Sequence, residues 1–283
     1  MLRKLKVEEI KEAARFAYNL SLSPSTNSYT LRDSEAEYLE AFIKAMEYPD
    51  DALLGYFVEN ELIAVICINV LKKDLYLQTK ALFISKHSDT VISEFYKYLI
   101  DNYSGYEVYS GYPKENEIVI NNLLSKGFEV IESSTDQRLK KEGFLPSKLI
   151  NNIVKITHVN YSEFAKYHDL KAVDVYWNSE RIRENFEDWI IYTYWEGSQL
   201  RASINAKIYK NQLEIFALLI DDEIANNGIE EDLITLTLKE GFEDHNVENA
   251  VFFIDSDDKT AEAFSKKLGF NIYSNYRCLY KKL

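Results

Sequence analysis

Cysteine is nearly absent from this chain: the only two, Cys67 and Cys278, lie far apart inside apolar runs. Such spacing cannot make a metal knuckle or a disulfide framework, so a reducing, cytoplasmic setting is expected. Proline (4) and glycine (9) are also scarce, which excludes collagen-like and linker-dominated chains. Basic residues form no block, and 33 Lys+Arg against 46 Asp+Glu leave a net charge of −13. Neither nucleic acid nor an anionic membrane is an expected partner of such a surface. Acidity serves solubility in any case; its functional reading is a cationic or amine substrate. No apolar run is long enough to span a bilayer. The stretch from Met1 to Asn19 carries Arg3, Lys4, Lys6, Glu8, Glu9, Lys11 and Glu12 and lacks the uninterrupted apolar core of a secretion signal. The histidines (His87, His158, His168, His245) show no ligand spacing, so no metal is expected. Glycine fingerprints for mononucleotides, dinucleotides or a nucleophile elbow are missing.

Core material, by contrast, is plentiful: apolar residues make up 46% and aromatics 14% of 283 positions. That length suits one large domain or two of about 140 residues. An internal repeat favours two. Lys4–Ile10 matches Lys155–Tyr161 and Glu59–Ala64 matches Gly197–Ala202; Ala81-Leu82-Phe83-Ile84 matches Ala217-Leu218-Leu219-Ile220, and Gly127-Phe128 matches Gly269-Phe270. The offsets are 151, 138, 136 and 142 residues, in unbroken order. Gly143 and Pro146 interrupt the pattern between Lys140 and Asn152, which sets the expected domains at 1–143 and 150–283.

In the second half, Trp189–Trp195, Leu200–Tyr209 and Leu213–Ile220 read as strands separated by short turns. The last, LEIFALLI, is apolar at nearly every position, as in a central strand covered on both faces. Gly228–Phe242 has helical spacing, Ala250–Ile254 is a short strand, Asp258 caps a helix reaching Leu268, and Asn271–Tyr280 closes the half. The first half repeats this order through Leu53–Val58, Leu62–Leu71, Tyr76–Ile84, a helix at Thr90–Tyr103, Tyr106–Ser110, a helix at Glu115–Lys126 and Phe128–Leu139. The fold class is α/β: in each domain a mixed, mostly antiparallel sheet with a central right-handed βαβ crossover and flanking helices.

This order, twice over, resembles the tandem form of the GNAT acetyltransferase superfamily along essentially the whole chain. Its most specific element is Asp258-Lys-Thr-Ala-Glu-Ala-Phe-Ser-Lys-Lys-Leu-Gly-Phe270, similar to the family's N-x-x-A-x-x-L-Y-x-K-L-G-F; Asn122–Phe128 is a looser version. The resemblance implies acetyl-CoA as cosubstrate, with its pyrophosphate on the N–H groups of a loop entering a helix. The corresponding cofactor-binding residues are Leu219, Ile220, Ala225, Asn226, Asn227, Gly228, Ile229, Glu230 and Asp258. Gly228 keeps the middle glycine of the family's Q/R-x-x-G-x-G/A, whereas Ala225 and Glu230 depart from it. Glu230 also fits a capping box with Asn227. The first-half loop, Ser85–Thr90, is polar and partly basic but has no glycine, and it also reads as a helix entry capped by Ser88 or Asp89.

The family's tyrosine acid falls on Ser265, a much poorer proton donor. The candidate base is Glu214 on the central strand, which otherwise is an exposed strand-end carboxylate. Tyr192, Tyr194 and Tyr209 are alternative acids, while Trp177, Trp189 and Trp195 read as packing residues. The resemblance thus implies acyl transfer from acyl-CoA to the amine of a small molecule or peptide by direct attack, with the second half holding the cosubstrate. A degenerate, non-catalytic binding protein is the rival reading. A peptidoglycan-bridge aminoacyl transferase, which also pairs two such domains, is disfavoured because the chain lacks the helical insertion.

Overall fold

The computed structural model describes residues 1–149, 151–173, 175–225 and 227–283. They form two compact units, one of residues 1–134 with 274–283 and one of residues 135–273.

Unit 1 opens with β1 (Leu2–Lys4), α1 (Ile10–Ser21) and α2 (Glu35–Glu47). Ser34 caps α2 by accepting the Glu37 N–H at 3.2 Å, which satisfies one of the four orphan donors of the first turn. The strands β2 (Ala52–Val58) and β3 (Glu61–Leu71) meet at Glu59-Asn60, whose φ values of 49° and 69° suit a two-residue hairpin between right-twisted strands. β4 (Tyr76–Ile84), α3 (Ser88–Asn102) and β5 (Glu107–Pro113) make the βαβ crossover, followed by α4 (Glu117–Ser125).

Unit 2 repeats the series. β7 (Ile153–Lys155) leads into α5 (Tyr161–Lys171) and α6 (Ser179–Glu184). Three antiparallel strands follow, β8 (Trp189–Glu196), β9 (Gln199–Tyr209) and β10 (Gln212–Ile220). α7 (Ile229–Asp244) crosses to β11 (Asn249–Asp255), parallel to β10, and α8 (Lys259–Lys267) comes after.

The two remaining strands, β6 (Glu129–Lys140) and β12 (Asn271–Lys282), close the sheets in exchange. Residues Tyr276–Lys282 of β12 lie antiparallel to β5, in unit 1. The second part of β6 lies beside β11 in unit 2, where the Thr135 hydroxyl donates to the Ile254 carbonyl at 3.3 Å. Strand order is therefore β1-β2-β3-β4-β5-β12 in unit 1 and β7-β8-β9-β10-β11-β6 in unit 2. The compact units thus differ from the sequence halves 1–143 and 150–283 by their closing strands.

Each sheet is covered on both faces. In unit 1, α3 and α4 bury Val91, Phe95, Leu99 and Leu123 against the sheet, while α1 and α2 bury Ala13, Ala14, Ala17, Tyr38 and Phe42 on the opposite side. In unit 2, α7 and α8 take the place of the first pair, with Leu233, Leu238 and Phe264, and α5 and α6 that of the second, with Phe164 and Ile182. The Gly-Phe matches end α4 and α8 in the same way. Gly127 and Gly269 have φ of 81° and 101°, and the next N–H, of Phe128 or Phe270, reaches back to Leu123 or Ser265 at 3.2 and 3.1 Å. This is a Schellman close, which only glycine enters without strain. Both cysteines are buried, and burial pushes the Cys67 thiol up to about 12 and the Cys278 thiol to about 11. No helix among the described residues is long and apolar enough to cross a membrane.

Candidate active site

In both units the two parallel strands pair for four residues and then part. β4 and β5 are in register from Tyr76↔Glu107 to Thr79↔Ser110, and β10 and β11 from Gln212↔Asn249 to Ile215↔Phe252. At the same point the antiparallel ladder on the other edge slips by one residue, leaving Lys80 out of register in β4 and Phe216 in β10. A bulge of this kind bends its strand, and the bend opens a slot whose inner edges carry backbone groups in need of partners.

Unit 1 fills that slot with its own chain. The Tyr29 N–H donates to Gly111 O on β5 at 3.0 Å, and the Thr30 N–H to Lys80 O on β4 at 3.2 Å. The Leu82 N–H donates to the Ser28 hydroxyl at 3.1 Å, and Asn116 Nδ2 to Asn27 O at 2.8 Å. The Tyr29 ring packs edge-on against Tyr276, 4.6 Å between centroids, and Tyr276 in turn covers Gly111, where a Cβ would meet its ring at 2.6 Å. Accordingly Ala81, Leu82, Phe83 and Ile84 are all buried.

The matching residues of unit 2 behave differently. Ala217, Leu218, Leu219 and Ile220 are each half-buried, and Phe216 is 39% exposed. Among the described residues, no backbone hydrogen bond runs from the α5–α6 connection to β10 or β11. The expectation that LEIFALLI is covered on both faces therefore holds only at Leu213 and Ile215, on the α7 face; Glu214 on the other face and every residue beyond the bulge are half-buried, and Phe216 is exposed.

The loop after β10 carries the sequence-predicted residues. Asp221 anchors it: its N–H donates to Arg201 O at 3.0 Å, and its carboxylate accepts from Tyr167 Oη at 3.1 Å and pairs with Lys171 at 2.8 Å and Arg201 at 3.2 Å. Burial works to raise Asp221, but hydrogen bonds from Lys171 and Tyr167 and the charges of Lys171 and Arg201 outweigh it and hold the carboxyl below its ordinary value. Arg201 also pairs with Glu223. Ala225 is extended, and Asn226 lies outside the described residues. Asn227 does not cap α7; Gly228 does, in the left-handed conformation at φ 80°, with its carbonyl accepting from Asp232 N. The Asn227–Glu230 capping box is thereby replaced: the helix starts one residue later, and Glu230 falls in the first turn with 7% exposure. His87, rather than Ser88 or Asp89, holds the same left-handed capping position in unit 1, at φ 58°, so that loop does without glycine what Gly228 does here. Histidine is among the residues that enter this region.

Ile229 is buried at the start of α7. The acidic first turn is largely engaged: Glu231 pairs with Lys267 at 2.7 Å and accepts from Ser147, while Asp232 accepts from Asn151 N and Nδ2, both at 2.8 Å. Asp258 caps α8 by accepting the Ala261 N–H at 2.8 Å. At the end of β11, burial and the neighbouring charges of Asp257 and Asp258 raise the Asp255 carboxyl. The two strand ends thus open toward helix N-termini, the usual setting for an anion, yet this setting carries many carboxylates.

Glu214 sits two residues before the bulge, half-buried, with Lys207 of β9 as its cross-strand partner. Strand alternation places both on the α5–α6 face, with Ser203, Asn205 and Trp189. Ser203 Oγ and both Asn205 amide atoms are buried without a hydrogen-bond partner among the described residues, an arrangement that costs about 1–3 kcal/mol per group. Unit 1 has Val65 and Cys67 at the same register positions. Ser265 is fully buried; its hydroxyl donates to Gln137 Oε1 at 2.5 Å and to Glu262 O at 3.0 Å. Tyr192 donates to Glu240 at 2.7 Å on the α7 side, and burial, then Glu240, raises its phenol. Tyr209 is 60% exposed at the far end of β9. The structure groups Leu219, Ile220, Gly228, Ile229, Glu230 and Asp258 around the ends of β10 and β11 and sets Glu214 on the opposite side of the bulge.

Sequence reasoning missed the Asn27–Thr30 segment and the Phe216 ring; it read Trp177 and Trp189 as packing residues, and the two rings do pack, 5.3 Å between centroids. The matched blocks AL[FL]I, each preceded by a residue that breaks the strand alternation, were the available signal for the bulges at Lys80 and Phe216.

No family model matches the chain, and no curated protein does. Solved structures do. A GCN5-related N-acetyltransferase from Sphaerobacter thermophilus superposes with a TM-score of 0.72 at 10% identity, covering 100% of this chain and 95% of that one. A tandem GNAT protein from the clavulanic acid biosynthesis pathway gives 0.56 at 10% identity, over 100% and 98%. An acetyltransferase described as putative, from Pyrococcus horikoshii, gives 0.57 at 9% identity, over 100% and 89%. The chain has the tandem GNAT fold.

Proposed function

We propose that the protein is an acyl-CoA-dependent N-acyltransferase with its reaction centre in unit 2, acting on the amine of a small molecule or peptide. The observation that carries this reading is the contrast between two otherwise equivalent slots. Asn27–Thr30 bonds across the slot in unit 1, whereas the apolar edge Ala217–Ile220 is accessible in unit 2. The chain halves 1–143 and 150–283 are the two repeats, with closing strands exchanged.

An apolar slot between two strands that part beyond Ile215 and Phe252 fits the extended arm of acetyl-CoA, which supplies an acyl group activated as a thioester. Backbone N–H groups at the bulge, around Phe216-Ala217, would donate to the thioester carbonyl and stabilise the negative charge that develops there. Glu214 would take the proton of the incoming ammonium, leaving a neutral amine to attack. Leu219 and Ile220 would line the arm, and Ala225, Asn227, Gly228, Ile229 and Glu230 the phosphate end, with Asp258 at the mouth. Ser265 takes the family position of the acid, but both bonds that its hydroxyl makes are internal, so it holds Gln137 and the helix turn; the departing thiolate is then protonated by solvent.

The carboxylates of the α7 first turn and of Asp255 favour a second reading, a binding protein that has given up the phosphate site. Calorimetry with acetyl-CoA on the intact chain and on Ala217→Trp decides between them. The transfer reading requires one equivalent bound by the parent and none by the filled variant. No binding by the parent favours the second reading.

A further inference from the structure

On the α5–α6 face of unit 2, the rings of Trp177, Trp189 and Phe216 meet in a triangle with centroid separations of 5.3, 5.6 and 5.9 Å. The Lys207 ammonium rests on it, 4.1 Å from the Trp177 centroid and 5.5 Å from that of Trp189. Glu214 stands across the ladder from Lys207 on the same face. The ring most open to solvent is Phe216, the residue that the bulge turns out of register. The register positions in unit 1 hold Asp51, Asn69, Gln78 and Lys80, with Asn69 Nδ2 bonded to Asp51 at 3.0 Å. None of these is aromatic, so the seat belongs to the unit whose slot is open.

We propose that this aromatic seat receives the ammonium group of the acceptor, in exchange with Lys207. The inference rests on the reading of unit 2 as the transfer site. Aromatic faces attract cations through the ring quadrupole, and the chain's own butylammonium already demonstrates the complementarity. Lysine is a point charge on a flexible stem and can leave such a seat without disturbing the strand. Glu214 supplies the countercharge, two residues before Phe216 on the same strand and directly across the ladder from Lys207. The ligand class is an aliphatic ammonium, primary or methylated; a neutral alcohol of the same shape lacks the feature that the seat reads.

The test uses n-butylammonium, with n-butanol as its neutral counterpart, followed by saturation-transfer NMR without any acyl-CoA. The proteins are the full chain, Lys207→Ala, Lys207→Gln and the double variant Lys207→Ala/Trp177→Ala, each checked by its circular dichroism melt. Both single variants should bind n-butylammonium roughly two- to thirtyfold more tightly than the parent, the range of one cation–π contact. The gain should vanish in the double variant, and n-butanol should show none. Equal affinity in the parent and both single variants overturns the proposal, as does a gain that survives Trp177→Ala or is matched by n-butanol. Acetyl-CoA is titrated separately: its failure to bind removes the transfer reading while leaving the cation result to stand or fall alone.

Discussion

The N–H of Tyr29 donates to the carbonyl of Gly111 at 3.0 Å, so a loop residue stands in the ladder where β4 and β5 have parted. An irregular segment, bent at Tyr29 and Thr30, satisfies this edge with its own backbone N–H groups. It explains why, among the described residues, Ala81–Ile84 are buried in unit 1 whereas Ala217–Ile220 are half-buried in unit 2.

Ser28→Ala tests that closure. The variant leaves the Leu82 N–H, deep in unit 1, without its acceptor, and a buried unsatisfied N–H costs about 1–3 kcal/mol. Urea unfolding should show an unfolding free energy lower by that amount, while the proposed binding of acetyl-CoA to unit 2 stays unchanged.

Glu214→Gln keeps the shape of the proposed base and removes its basicity. With a saturating amine, kcat should fall by about 10²–10⁴-fold, while the Kd for acetyl-CoA stays within about twofold. An unchanged kcat would move the base elsewhere on β8 or β9.

Glu230→Gly removes a buried carboxylate from the first turn of α7, beside the N–H groups proposed to meet the pyrophosphate. Glycine costs about 1 kcal/mol of helix stability. Acetyl-CoA affinity should nonetheless rise, by about tenfold per 1.4 kcal/mol of repulsion removed. The gain should shrink as salt is added. Dissociation constants at two ionic strengths read both effects, and unchanged affinity at low salt would acquit Glu230.

The Asp221 network gives a pH signature. Its carboxyl is held below the ordinary value of 3.8, so the network stabilises fully above that pH and loses its contribution as pH falls through the lower, folded value. Asp221→Asn should therefore cost about 1–3 kcal/mol near neutrality. The difference between variant and parent should shrink steadily in denaturation curves taken below pH 4.

The repeat was legible because turn and cap chemistry is local: Glu59-Asn60, Gly197, Gly127 and Gly269 each demand a particular backbone, and each occurs at its expected place. The Gly-Phe match is a helix close, and both copies share it down to the hydrogen bonds. The start of α7 was misread because Asn227 is the better capping side chain in isolation, whereas a left-handed Gly228 satisfies the same turn through backbone geometry. The slots were invisible for a different reason. Ala81–Ile84 and Ala217–Ile220 have nearly the same sequence, and what separates them is a segment some fifty residues upstream that covers one and not the other. The Lys207 seat was hidden likewise, since Trp177, Trp189 and Phe216 come together only through the fold.

The exchange of β6 and β12 makes the two units interdependent in time as well as in space. Tyr276 pairs with Pro113 and Lys282 with Glu107, contacts that span more than 160 residues of chain. Closing so long a loop is entropically slow compared with local pairing. A fragment ending at residue 143 would hold α1 through α4 and yet show β5 as a bare edge, a template for pairing with other copies. The repeats, although alike in outline, are for this reason not separable parts: unit 1 stays an open sheet until residues 274–283 arrive, and a nick between the halves after folding should leave them bound, whereas separate expression should yield aggregates.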